Sequence, residues 1–165
     1  KVTIVDTGIN AMTGARIKRE QRYIGNEPIM LTYGDGVTTE NISDLVKYHV
    51  AQGKYATMTA VQPSGKFGAL EVDSGNAIRS FNEKPKGDGS WINAGYMVLQ
   101  PEVFNYLKDD DSCVFERDPL ENIAKDGQLT AFKHSGFWKP MDTLREKGEL
   151  NDLWSSGKAP WKVWK

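Results

Sequence analysis

A strand, a helix and a second strand in close succession constrain this chain more than any other feature. Residues 28–33 form an unbroken apolar run that includes the β-branched Ile29 and Thr32. Such a run predicts a strand buried on both faces. It ends at Gly34-Asp35-Gly36. Ile42, Leu45, Val46 and His49 then recur at helical spacing and predict a helix over 42–51, stopped by Gly53. Residues 55–61 read as the next strand. Strand, helix and strand in this order imply a right-handed parallel crossover, and so an α/β fold.

The remaining segments extend this plan. Residues 2–5 read as a short strand, and 10–19 as a polar loop around Thr13-Gly14. Residues 67–72 and 77–82 resemble a hairpin closed by Asp73-Ser74-Gly75-Asn76. A longer strand covers 91–99, and Pro101 suits the first turn of a helix. A second helix is expected over 115–125, a strand over 129–134, and a final helix that starts after Asp142 and runs to about Trp154. No repeat, low-complexity stretch or linker interrupts residues 1–165. The expectation is one α/β domain with a small antiparallel insertion. The chain opens on Lys1 and runs at once into strand-like residues, which leads us to expect a piece of a longer protein.

Composition narrows the function. The 165 residues carry 21 basic and 22 acidic side chains, a formal net charge of −1, with no basic block. Nucleic acid is therefore an unexpected partner. Cys113 has no second cysteine to pair with, and no Cys/His cluster is present to hold zinc. This suits a reducing cytoplasm. No apolar run approaches the length of a membrane span, and no membrane partner is expected.

Four places carry chemistry. Asp35 lies between glycines after a strand, where open α/β sheets bind ligands, and a carboxylate there suits a hard cation beside a diphosphate. A plain Asp-Gly turn is the competing reading. Glu83-Lys84-Pro85-Lys86-Gly87 offers a point charge for a phosphate and an acceptor for sugar hydroxyls, or else is a solvated loop. Asn93-Ala94-Gly95 puts an amide and a glycine inside an apolar strand. Either a ligand approaches there or the amide is satisfied within the core. Asp142 precedes a helix, where it would act as a metal ligand or as the helix cap.

Taken in order, Asp6-Thr7-Gly8, Thr13-Gly14-Ala15-Arg16, Tyr33-Gly34-Asp35-Gly36, Gly65-Lys66-Phe67-Gly68, Phe81-Asn82-Glu83-Lys84-Pro85-Lys86-Gly87-Asp88-Gly89, Ile92-Asn93-Ala94-Gly95 and Phe137-Trp138-Lys139-Pro140-Met141-Asp142-Thr143 cover the chain. With the tail Gly157-Lys158-Ala159-Pro160-Trp161-Lys162, this series resembles the sugar-phosphate nucleotidyltransferases, in their glucose-1-phosphate cytidylyltransferase branch. The resemblance implies a Rossmann-like mixed sheet of the glycosyltransferase-A-like type, lacking its first strands. It implies a reaction of CTP with α-D-glucose 1-phosphate that gives CDP-glucose and pyrophosphate, for deoxysugar and O-antigen polysaccharide synthesis. It also implies Mg²⁺ held by Asp35 and Asp142, with Asp35, Lys84 and Asp142 as the catalytic groups. Glu83 and Lys84 would receive the sugar phosphate. Asn93 and Gly95 would line the sugar pocket, Gly34 would adjoin the substrate, and Thr13, Gly14 and Arg16 would form a loop near the nucleotide. The same resemblance implies assembly of subunits; Trp154, Trp161 and Trp164 would either cover the core or form that contact surface. His49 and His134 are expected to be structural.

Two departures accompany the resemblance. Ala15 stands where the family pattern has Gly, and a positive φ there would cost about 1 kcal/mol. The family's Gly-rich triphosphate loop has no counterpart in these residues. CTP is therefore expected to bind weakly to this chain alone. A sugar-phosphate-binding module without catalysis, and a transferase using UTP or dTTP, stay open as alternatives.

Overall fold

A computed structural model describes residues 1–63, 69–72, 74–82 and 90–164. The chain packs as two compact units. The first comprises Lys1–Thr32, Asn41–Met58 and Gly95–Phe132, and the second Tyr33–Glu40, Thr59–Ala94 and Lys133–Lys165.

Helix α1 spans Thr13–Ile24 and α2 spans Ile42–Gln52. A 3-10 helix covers Pro101–Tyr106, α3 covers Asp118–Lys125 and α4 covers Leu144–Ser155. The strands are β1 (Ile29–Thr32), β2 (Gly36–Thr38), β3 (Ala56–Val61), β4 (Ala69–Val72), β5 (Ile78–Asn82), β6 (Ile92–Leu99), β7 (Leu129–Lys133) and β8 (Trp138–Pro140). No helix among the described residues is long and apolar enough to cross a membrane.

The main sheet has the order β1-β6-β3-β7. β1 runs antiparallel to β6, with Ile29 opposite Leu99 and Thr32 opposite Tyr96. The bonds from Ala56 N to Gln128 O and from His134 N to Ala60 O advance together along both chains, so β7 runs parallel to β3. The sheet is mixed, as expected. The core of the first unit contains Leu45 from α2, Met97 and Leu99 from β6, and Val103, Phe104, Phe115, Leu120 and Ile123, all buried. α2 follows its sequence closely. Asn41 caps its start by accepting from Ser43 N, and Gly53 ends it in the left-handed conformation at φ 61°.

Three expectations are corrected. Residues 10–19 are not a loop, because α1 begins at Thr13. The segment is rich in Arg, Lys, Glu and Gln, which are good helix formers, and its polarity reflects an exposed helix. Ala15 lies inside that helix, buried and without a positive φ, so it carries no backbone strain. Residues 2–5 form no strand, and Val2 and Ile4 are 87% and 94% exposed. Finally, the run 28–33 is not buried on both faces. β1 is an outer strand of the sheet that alternates half-buried and exposed positions, with Met30 65% exposed. β6 also lies between β1 and β3, so the two strands of the expected crossover are not neighbours.

The second unit contains two small antiparallel ribbons. β4 and β5 form the expected hairpin. β2 and β8, which the sequence did not reveal, pair with Gly36 opposite Pro140 and Thr38 opposite Trp138.

Candidate active site

The β2–β8 ribbon joins Asp35 to Asp142 across about 100 residues of chain. Its hydrogen bonding continues beyond the strands. Met141 N donates to Asp35 O at 2.7 Å, and at the other end Thr39 N donates to Phe137 O at 3.0 Å. Asp35 thus stands opposite Met141, and Asp142 is the next residue. Both aspartates are exposed. Neither carboxylate has a hydrogen-bond or ion-pair partner among the described residues.

The cap of α4 explains why Asp142 is available. Thr143, not Asp142, is the N-cap. Its hydroxyl accepts from Glu146 N, and the Glu146 carboxylate accepts from Thr143 N in a capping box. Glu146 also accepts from Asp142 N at 3.1 Å. The helix start is therefore satisfied without the Asp142 side chain, and the capping reading of that residue is set aside. Beside Asp35, a Cβ added to Gly34 would meet nothing within 4 Å among the described residues, so that flank is open to them.

Side chains behind the ribbon hold it. Trp138 donates from Nε1 to Ala94 O at 2.9 Å. Lys139 pairs with Glu149 of α4, which also pairs with Arg145 at 2.8 Å. These two cations hold the Glu149 carboxyl below its ordinary range. Phe137 stacks on Trp161 of the tail, with ring centroids 5.4 Å apart. Asn93 is half-buried and donates from Nδ2 to the Tyr33 hydroxyl at 3.1 Å, which ties the amide to the side chain of the residue that precedes Gly34-Asp35. Gly95 is buried at φ 81°, a conformation that requires glycine and accounts for its place inside a strand. Glu83 and Lys84 lie outside the described residues.

Thr13, Gly14 and Arg16 belong to the first unit, where their polar groups are engaged within the fold. The Thr13 hydroxyl donates to Glu116 at 2.6 Å and accepts from Phe115 N at 2.9 Å. Gly14 N donates to Cys113 O at 2.9 Å. A Cβ at Gly14 would approach Cys113 Sγ to 2.6 Å, so this glycine permits close docking of the helix start. Arg16 donates to the Thr7 hydroxyl at 2.7 Å. Arg19 adds ion pairs to Asp109 and Asp111 at 2.7 and 2.8 Å.

The two histidines are structural in setting. His49 is 1% exposed, with Nδ1 2.8 Å from Thr57 Oγ1 and Nε2 2.9 Å from the Gln100 amide nitrogen. Gln100 can only donate from that atom. Nε2 therefore accepts, and Nδ1–H donates to the threonine. The neutral ring is satisfied on both sides, and burial pushes its pKa down. His134 lies just past β7, 3.3 Å from Phe137 O.

Sequence reasoning overlooked Tyr33, Glu40 and Thr59. Tyr33 carries a weak signal as the residue before the Gly-Asp-Gly turn. Glu40 carries none, since an acid before a helix normally reads as solvated. Here it is 91% buried: its exposure is 9%, and Oε1 accepts from Thr59 Oγ1 at 2.8 Å.

An exposed pair of carboxylates at one end of a ribbon is an arrangement that can hold a hard cation beside phosphates. The chain belongs to the nucleotidyl transferase family, whose pattern matches residues 10–158. Within that family it is 51% identical over 164 residues to the glucose-1-phosphate cytidylyltransferases of Salmonella typhi and of Salmonella typhimurium. Those alignments cover 99% of this chain and 63% of each relative, so the chain spans less than two thirds of their length. Among solved structures, HddC from Yersinia pseudotuberculosis shares the fold. Its TM-score is 0.66 at 18% identity, covering 92% of this chain and 65% of that one.

Proposed function

We propose that the protein to which this chain belongs transfers a cytidylyl group from CTP to α-D-glucose 1-phosphate, releasing pyrophosphate and forming CDP-glucose. The identity to the Salmonella relatives supports the substrates. The observation that carries the chemistry is the ribbon, which brings Asp35 and Asp142 to one end with both carboxylates unpartnered among the described residues.

The donor set fits Mg²⁺. This ion is usually held by one or two carboxylates, with water and phosphate oxygens completing its shell. Asp35 and Asp142 would hold it, and when bound it supplies charge neutralisation and alignment for the triphosphate. A phosphate oxygen of the sugar phosphate attacks the α-phosphorus of CTP. A new P–O bond forms as the bond to the β-phosphate bridge breaks, and pyrophosphate leaves with that electron pair. The attacking phosphate is already ionised at neutral pH, so no general base is required. The structural setting of His49, buried and bonded on both ring nitrogens, is in keeping with chemistry that needs no such base.

In this reading Lys84 and Glu83 receive the glucose phosphate, Lys84 as a point charge that offsets the repulsion of two polyanions. Asn93 and Gly95 border the sugar, and Gly34 leaves room beside the phosphates. Thr13, Gly14 and Arg16 act toward the nucleotide by fixing the start of α1. We place the reaction in the cytoplasm, in keeping with the free thiol of Cys113, with a homo-oligomer contact at Trp154 and Trp164, both at least half exposed. CDP-glucose would feed deoxysugar and O-antigen synthesis.

The test is pyrophosphate release and CDP-glucose formation by the full-length protein with glucose 1-phosphate, Mg²⁺ and each of CTP, UTP, dTTP and ATP. CTP should exceed the others by at least about tenfold in kcat/KM. Asp35→Asn should lower kcat about 100-fold or more. Equal use of another nucleotide, or full activity in Asp35→Asn, would sink the reading.

A further inference from the structure

Glu40 is buried in the second unit, and the chemistry above does not use it. We propose that Glu40 is a positioning residue, tying the root of the β2–β8 ribbon to β3 and so fixing where Asp35 and Asp142 stand. The functional half of this inference rests on the reading of those aspartates as metal ligands. The tie itself does not.

The geometry is a short relay. Phe137, next to β8, accepts through its carbonyl from Thr39 N at 3.0 Å and from the Thr38 hydroxyl at 3.1 Å. Phe137 N in turn donates to the Thr39 hydroxyl at 3.0 Å. The Thr38 hydroxyl also accepts from Glu40 N at 3.1 Å. The root of the ribbon is thus bonded to itself on both strands and leads straight into Glu40. The Glu40 side chain then accepts from Thr59, a β3 residue with no exposure. Asp35 and Asp142 are at the far end of the same ribbon, four to five residues from the root, or roughly 13–17 Å at about 3.3 Å per residue.

A ribbon of three residue pairs has too few bonds of its own to hold a fixed direction. Its aim depends on anchors at its sides and root. Trp138 and Lys139 anchor the β8 side. At the root, Glu40 to Thr59 is a side-chain link from β2 to β3, beside the one that His134 makes on the β8 side, with its N on Ala60 O and its Nε2 3.3 Å from Phe137 O. The choice of an acid is itself informative. Oε2 has no hydrogen-bond partner among the described residues, a feature that costs stability and that an apolar side chain would avoid. A polar tie held at such a cost is directional, which burial of a leucine is not.

The experiment is amide hydrogen exchange on the full chain, wild type against Glu40→Ala, Thr59→Val and Glu40→Gln. Glu40→Ala and Thr59→Val should speed exchange at Thr39, Phe137 and Met141 by at least about tenfold, with the amides of residues 102–107 unchanged. Glu40→Gln keeps an acceptor for Thr59 and should stay within about threefold of wild type, whereas the isosteric Thr59→Val, which a purely space-filling role would leave unchanged, should not. Unchanged ribbon exchange in Glu40→Ala, or equal acceleration in every segment, overturns the proposal. Mn²⁺ titration followed by electron paramagnetic resonance gives the functional half. The two loosening variants should weaken binding about tenfold while Glu40→Gln retains it. If wild type binds no Mn²⁺, or Asp35→Asn binds it equally well, the metal reading fails and the exchange result alone decides the tie.

Discussion

Two threonines of β3, Thr57 and Thr59, are both without exposure, and each meets one buried titratable side chain. The outcomes differ. In the first unit, His49 satisfies one ring nitrogen with Thr57 and the other with Gln100. In the second unit, Glu40 satisfies Oε1 with Thr59 and leaves Oε2 alone among the described residues. Burial lowers the pKa of His49 and raises that of Glu40, so both groups are pushed toward their neutral forms. A complete polar chain of this kind stabilises a core, whereas an incomplete one lowers stability and is retained for what it positions. Among the described residues the first unit contains the larger share of buried apolar side chains, and the second contains Asp35 and Asp142; the two polar sites follow that division.

The largest effect should come from breaking the complete chain. His49→Ala removes a buried ring and strands both Thr57 and Gln100, and should cost about 3 kcal/mol by chemical denaturation. A loss below 1 kcal/mol would mean that the site collapses or rehydrates at little cost. Thr57→Val, which strands only Nδ1, should cost about 2 kcal/mol in the same assay.

The incomplete site should respond in the opposite direction. Glu40→Gln removes the buried charge and keeps the acceptor, and should raise stability by about 1 kcal/mol at pH 8 while changing little at pH 4. The smallest effect is the pH slope itself. The Glu40 carboxyl titrates above its ordinary value near 4.5, so the unfolded chain releases its proton first. Its contribution is full below that value and is lost as pH rises through the folded pKa. His49 titrates below its ordinary 6.5, so its contribution is full above 6.5 and is lost as pH falls through the folded pKa. Calorimetric melting from pH 4 to 8 should show the alkaline loss vanish in Glu40→Gln and persist in Thr57→Val. Identical pH profiles for Glu40→Gln and wild type would show that Glu40 is not the group responsible.

Much of the scaffold was legible because its signals are local. α2 announces itself through Ile42, Leu45 and His49 and through its caps Asn41 and Gly53. The β4–β5 hairpin follows from alternation and a turn, and Asp35 from its flanking glycines. α1 was misread because Thr13-Gly14 looks like a turn. Only the approach of Cys113 shows why a glycine belongs in the first turn of a helix. β1 was misread because an apolar run does not reveal whether a strand is central or on an edge. β2 and β8 carry no local signal at three residues each, and their pairing depends on partners about 100 positions apart.

The sequence by itself therefore determined the family, the α/β class and the identity of the chemically capable side chains, because these depend on residue type and short-range order. Tertiary structure decided which of them stand together. It brought Asp142 beside the partner of Asp35, let Thr143 relieve Asp142 of the capping role, and buried an ordinary-looking Glu40 against Thr59. Such outcomes follow from long-range backbone pairing and from the removal of polar groups from water, and both are settled only when distant segments pack.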